Sequence, residues 1–222
     1  MACASGEIPI FSLERFKDDP VAMQYYTSFD DYEQFMYVFR SLGPATYHLE
    51  YSSQKLDDPR NEFFLFLMKI RQAKDDYDLG KLFGISRQTA GRIFFVWLHF
   101  LYHQLKENDL FVGKDIIEAT MPVDFKEKFG TTRIILDATE VKMTKPGKIS
   151  EQSSTWSSYK NSNTAKIMVG ISPRGLVTHV SPAYGGSTSD RQIIERSELL
   201  EDGKFESGDS IMADRGIMVS KK

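Results

Sequence analysis

A chain of 222 residues with 41% hydrophobic and 13% aromatic content can bury a substantial core in one or two domains. A net charge of −3 excludes a protein whose whole surface is basic, and the single cysteine, Cys3, excludes an internal disulfide and a thiolate zinc site. The longest apolar run, Ile93 to Leu98 followed by His99-Phe100-Leu101-Tyr102, is broken by a histidine and falls short of the roughly 20 residues a bilayer requires, so it reads as a core helix and no membrane is expected as a partner.

Met1 to Glu7 has neither a basic nor an apolar signal segment, so the expectation is a protein that is not secreted. Residues 1–60 are acidic, with ten acidic and five basic side chains, and rich in Tyr and Phe. Phe29 to Phe39 reads as helical and Gly43-Pro44 as a breaker; no chemistry is legible there. From Asn61, Phe63, Phe64, Leu67 and Ile70 recur at helical spacing and predict one apolar face. A second helix is expected over Asp76 to Phe83. Gly84-Ile85 then supplies a tight turn, Ser86 an N-cap, and Arg87-Gln88-Thr89-Ala90-Gly91-Arg92 the start of a third helix running through Leu101.

Those three pieces meet the requirements of a helix-turn-helix: a glycine-like turn, and a last helix whose first residues carry short polar and basic side chains. Arg87, Gln88 and Arg92 are the candidates for DNA contact, since Arg and Gln can pair with base edges. Any capped three-helix bundle can also carry such residues on a solvated face. Residues 61–108 are nonetheless the one net-positive stretch, with seven basic and five acidic side chains; residues 109–222 hold sixteen of each.

Beyond Gly113 the period changes. Met121-Pro122 breaks the chain, and Arg133-Ile134-Ile135-Leu136 is a short β-branched run expected to be a buried strand. Residues 145–163 read as an exposed loop. Lys166 to Ile171 and Gly175 to Val180 predict two more strands joined by Ser172-Pro173-Arg174-Gly175. Ser189-Asp190-Arg191-Gln192 is a capping box opening a helix that includes Ile193, Ile194 and Leu199-Leu200, and Ser210 to Ala213 predicts a fourth strand.

Asp137 directly follows the first of these strands and Asp214 the last. Two carboxylates at strand ends can converge on one sheet edge and share divalent cations for in-line phosphoryl transfer. With no thiol and no clustered imidazole beside them, Mg²⁺ or Mn²⁺ is the expected cofactor. Glu140 lies three residues on and faces the other side of the strand, so it reads as solvated. Asp190 reads as a favourable charge at a helix start. His99 and His103, one turn apart in an aromatic helix, read as packing or surface residues rather than ligands. No Walker loop, Gly-x-Ser-x-Gly elbow or dinucleotide glycine fingerprint is present, which leaves nucleotide hydrolysis, ester hydrolysis and dinucleotide redox chemistry without support.

Five ordered blocks, Ile135-Leu136-Asp137-Ala138-Thr139-Glu140, Ser158 to Lys166, Val169 to Gly175, Tyr184 to Asp190 and Gly208 to Gly216, together resemble the DDE superfamily endonuclease domain of PIF/Harbinger-like transposases and of host proteins domesticated from them. The stretch from about Asn61 to Leu105 resembles the helix-turn-helix that precedes that domain. The resemblance implies an α/β chain: an acidic helical region over 1–60, a helix-turn-helix over 61–108, a connector over 109–132, and an incomplete RNase H-like mixed-sheet domain over 133–222. It implies that Asp137 and Asp214 are the first two acids of an Asp-Asp-Glu metal triad acting on DNA in the nucleus. The triad Glu belongs on a later helix, whereas Glu195, Glu198, Glu201 and Glu206 all precede Asp214. The expectation is therefore a C-terminally truncated, inactive nuclease. The alternative is a non-catalytic relic that binds DNA or a partner, including a separate DNA-binding protein.

Overall fold

The structure is a computed structural model that describes residues 11–51, 56–106, 108–201, 203–214 and 217. Cys3 and the rest of the N-terminal stretch, and Arg215-Gly216 of the last resemblance block, lie outside the described residues. Two compact units divide at Asn108 and Asp109. No helix among the described residues is long and apolar enough to cross a membrane.

The first unit is helical. After a 3₁₀ turn at Leu13–Phe16 come α1 (Pro20–Thr27), α2 (Tyr32–Ser41), a second 3₁₀ turn at Pro44–His48, α3 (Pro59–Gln72), α4 (Asp76–Phe83) and α5 (Arg87–Leu105). Asp19, Asp31, Asp58, Asp75 and Ser86 each cap a helix by accepting a backbone N–H, and Pro20 and Pro59 sit where a helix start needs no N–H. Gly43 stands at φ +79°, which explains the break between α2 and the 3₁₀ turn.

The expected single apolar face of α3 is corrected: Glu62 to Phe66 and Met68 are buried, while Ile70 is 59% exposed. The middle of α3 runs through the centre of the unit with neighbours on all sides, so its apolar residues show no helical stripe, and its last turn emerges into solvent. Residues preceding α3 belong to the same core, since Leu13, Met23, Phe35 and Phe39 cluster with Phe63, Phe64 and Trp97.

The second unit opens with α6 (Lys114–Thr120) and α7 (Val123–Phe129) and then builds a mixed sheet. Its elements are β1 (Thr132–Lys142), α8 (Ile149–Thr155), β2 (Trp156–Ser157), β3 (Ser162–Ile171), β4 (Val177–Val180), β5 (Tyr184–Gly185), α9 (Asp190–Arg196), a 3₁₀ turn at Glu198–Leu200, and β6 (Ser210–Ala213). β1 is central: antiparallel to β3 from Ile135↔Ile171 to Lys142↔Thr164, and parallel to β6 from Thr132↔Ser210 to Leu136↔Ala213. Along its other edge β3 pairs with β2, β5 and β4. The chain is thus a helical region followed by a mixed α/β sheet.

Three expectations change here. The first strand does not stop at Leu136, because β3 continues to pair with it as far as Lys142. The stretch 145–163 is not a simple loop: it contains α8 and β2, held to β3 by the Asn163 side-chain amide, which donates to the Gln152 carbonyl at 2.9 Å and to Thr155 Oγ1 at 2.8 Å. The capping box at Ser189 and Gln192 is present, but α9 ends at Arg196, and Ser197 caps the separate 3₁₀ turn.

Candidate functional site

Successive β1 side chains alternate between sheet faces. Ile134 and Leu136 are buried with Met168, Ile193 and Ile194, and Ala138 packs against them. Asp137 belongs to the opposite set and is exposed. Leu136 is matched to Ala213 in a parallel pair, so Asp137, the next residue of β1, stands where β6 ends and Asp214 directly follows. Asp214 is exposed and sits just beyond the end of β6. Asp137 is therefore inside its strand, not at its end as the sequence suggests. What ends at Asp137 is the partner strand β6.

Two carboxylates, each one residue past the matched pair Leu136↔Ala213, are hard oxygen donors of the kind a divalent cation takes. Among the described residues no group of three His, Cys, Asp or Glu side chains gathers into a metal-binding cluster. His99 and His103 are both exposed on α5, in the other unit.

The placement of β6 depends on residues that the sequence reading passed over. Asp209, one residue before β6, has a side chain only 2% exposed. Its carboxylate meets Lys114 Nζ at 3.0 Å and Arg133 Nε at 3.2 Å, and it accepts the Glu206 N–H at 2.9 Å. Arg133, 6% exposed, also donates to the Val112 carbonyl at 3.2 Å. Ser210 N–H donates to the Thr131 carbonyl at 2.9 Å. Burial raises the Asp209 pKa, but the Glu206 N–H and the Lys114 and Arg133 charges more than offset it and hold the carboxyl below its ordinary value. The available signal was an arginine opening an otherwise apolar strand, which in a buried setting requires an acidic partner.

Glu140 is also corrected. It does lie on the face opposite Asp137, but its side chain is only 8% exposed rather than solvated. It accepts from Thr164 Oγ1 at 2.8 Å and pairs with Lys166 at 3.4 Å, and Lys166 reaches on to Asp190 at 3.2 Å. Burial raises its pKa, and hydrogen bonds from Ser157 and Thr164 together with the Lys166 charge bring it below the ordinary value. Asp190 thus adds an ion pair to its position at the start of α9, where Ser189 makes the cap.

In the helical unit, α3, α4 and α5 form the expected three-helix arrangement. Gly84 closes α4 at φ +67°, and Ile85 N–H returns to the Gly80 carbonyl at 2.9 Å. A Cβ on Gly80 would stand 2.8 Å from the Ile85 carbonyl oxygen, so this turn is tight enough to require glycine. Arg87, Gln88 and Arg92 are all exposed at the start of α5. The Lys69–Asp76 ion pair ties α3 to α4.

Residues 54–107 match the family model described as the helix-turn-helix of the DDE superfamily endonuclease, and residues 136–222 match the model described as DDE superfamily endonuclease. No curated protein and no solved structure matches the chain.

Proposed function

We propose, from the premise that this chain belongs to the DDE superfamily endonucleases, a transposase-derived family, that it is of the PIF/Harbinger-like type and that Asp137 and Asp214 hold divalent metal for phosphodiester cleavage in DNA. The observation that supports this reading is the parallel β1–β6 register, in which the exposed Asp137 and Asp214 each come one residue after the matched pair Leu136↔Ala213. Asp137 and Asp214 would hold Mg²⁺ or Mn²⁺, which would supply charge neutralisation at the phosphodiester and a more acidic water. The chain's own part is to hold the two acids at a fixed separation. Arg133, Lys114 and Asp209 do so by clamping the start of β6 to β1 and α6. Arg87, Gln88 and Arg92 would grip the DNA, and a DNA substrate implies a nuclear location.

The test is Mn²⁺ binding followed by electron paramagnetic resonance. Asp137→Asn and Asp214→Asn should each weaken binding by at least about tenfold, because each removes an anionic oxygen donor from a hard cation. Unchanged affinity in either variant would retire the metal centre.

A second reading, a DNA-binding module that does not cleave, is favoured by the exposed Arg87, Gln88 and Arg92 on a helix-turn-helix that lies within the first compact unit. It retains DNA binding in both aspartate variants and loses it in Arg87→Ala/Arg92→Ala.

A further inference from the structure

Where β1 finishes, the sheet carries a charge pattern that the proposed metal chemistry does not use. From Lys142 to Lys160 the chain has four lysines and a single carboxylate, Glu151. The remainder of 109–222 has twelve basic and fifteen acidic residues, so a unit that is neutral in total concentrates positive charge at this end. Lys142, Lys145, Lys148 and Lys160 are all exposed. Glu151 is engaged by Lys148 at 3.3 Å, while the nearby Glu140 and Asp190 are both held by Lys166.

Among these lysines stands Tyr159, 83% exposed in the turn from β2 to β3, with Lys160 Nζ 4.7 Å from the centre of its ring. This turn is well supported. Lys160 N–H donates to Ser157 Oγ at 3.2 Å, and Asn161 adopts the left-handed conformation at φ +48°. Beneath it, the backbone at Gly185 and Gly186 presses against α8 and β3: a Cβ there would lie 2.1 Å from the Ser154 carbonyl oxygen or from Thr164 Oγ1, respectively. A hairpin displaying an exposed aromatic ring with the Lys160 ammonium over it, on a lysine-rich end of the sheet, has the two features that hold single-stranded nucleic acid, a stacking platform and phosphate partners. From Asp137 to Lys142 is five strand residues, roughly 17 Å, or about five base steps along a DNA strand.

We infer that this end of the sheet is a DNA-contacting surface separate from the helix-turn-helix: Lys142, Lys145 and Lys160 engage backbone phosphates, and Tyr159 stacks on a base of an unpaired or distorted strand. The inference rests on the nuclease reading, since it supposes that DNA lies along the sheet past Asp137.

The experiment is fluorescence anisotropy of the whole chain with a labelled duplex and with its single strand, over a range of salt, in EDTA so that the aspartates play no part. Lys142→Ala/Lys145→Ala/Lys160→Ala should lower the slope of log affinity against log salt by about two to three, roughly one per phosphate contact. Tyr159→Ala should weaken single-strand binding about tenfold while changing duplex binding by less than about threefold. All four side chains are exposed, so circular dichroism should be unchanged. An unaltered slope in the triple variant overturns the phosphate contacts, and unaltered single-strand affinity in Tyr159→Ala overturns the stacking role. If both variants bind as the parent does while Asp137→Asn loses Mn²⁺, the surface fails and the metal centre stands. The converse result retires the metal centre and keeps the surface. A parent chain that binds no DNA overturns the surface, and the Mn²⁺ measurement then judges the metal centre by itself.

Discussion

Between α1 and α5 the interior is made of rings. Phe64 alone lies within 5.9 Å of Phe11, Phe16 and Tyr26 and within 6.4 Å of Phe35 and Phe83, centre to centre. The buried charge there, Glu62, is surrounded by donors: Tyr51 Oη at 2.7 Å, Leu56 N–H at 3.1 Å and Trp97 Nε1 at 3.2 Å. In the sheet unit the apolar cluster is smaller, Ile134, Leu136, Met168, Ile193, Ile194 and Leu199, and Arg133, Asn163, Thr164 and Ser181 are buried alongside it. Ring packing stabilises by area and tolerates small displacements, whereas ion pairs and hydrogen bonds act over narrow distances and angles. The contrast teaches that the helical unit is built to present a surface, and the sheet unit to fix the positions of particular atoms.

Three measurements test this contrast. One tryptophan lies in each unit, Trp97 in the first and Trp156 in the second, so denaturation can be followed separately once each is replaced in turn by phenylalanine. Phe64→Ala should have the largest effect, about 3–5 kcal/mol from the helical unit, because a fully buried ring leaves a cavity that its neighbours fill only in part. The Trp156 transition should not move; if it does, the units are energetically coupled and the contrast is weaker than drawn.

Asp209→Asn should come next, costing the sheet unit about 2–4 kcal/mol, because it leaves the buried Arg133 guanidinium without its counter-charge. It should also weaken Mn²⁺ binding by shifting β6, whereas Phe64→Ala should leave Mn²⁺ affinity unchanged. If Asp209→Asn alters stability but not metal affinity, Asp209 has no part in positioning Asp214.

The smallest effect is the dependence on acid. The carboxyls of Asp209 and Glu140 are both held below their ordinary values in the folded chain. Each therefore contributes stability that is fully present above the unfolded-state value, about 4, and is lost as pH falls through the folded value. The sheet unit should lose stability on acidification below about pH 4, and Asp209→Asn should flatten that loss. A profile as steep in Asp209→Asn as in the parent would assign it to other carboxylates.

Much of the local architecture was legible without a structure. Ser86 and Ser189 announce helix starts because a side-chain oxygen accepts a nearby backbone N–H, and Gly84 a helix end because only a residue without Cβ enters the left-handed region cheaply. The β-branched run at Ile134-Ile135 and the turn at Ser172 to Gly175 are likewise short-range signals. What misled were particular inferences about surroundings: Ile70 reads as interior and is exposed, Glu140 reads as solvated and is enclosed, and the stretch after Lys145 concealed α8 and β2.

The local sequence was enough to mark the starts of α5 and α9 and the close of α4, and to offer Asp137, Asp214, Arg87, Gln88 and Arg92 as candidate site residues, because capping, turn geometry and side-chain type act within a few residues of the chain. Only the tertiary structure decided that Asp137 lies beside the end of β6, that Asp209 clamps Arg133 and Lys114, and that Lys166 joins Glu140 to Asp190. Those relations depend on strand register, and a shift of one residue would turn every side chain of β6 to the opposite face. Register is fixed by the packing of the whole sheet, to which no short stretch of sequence has access.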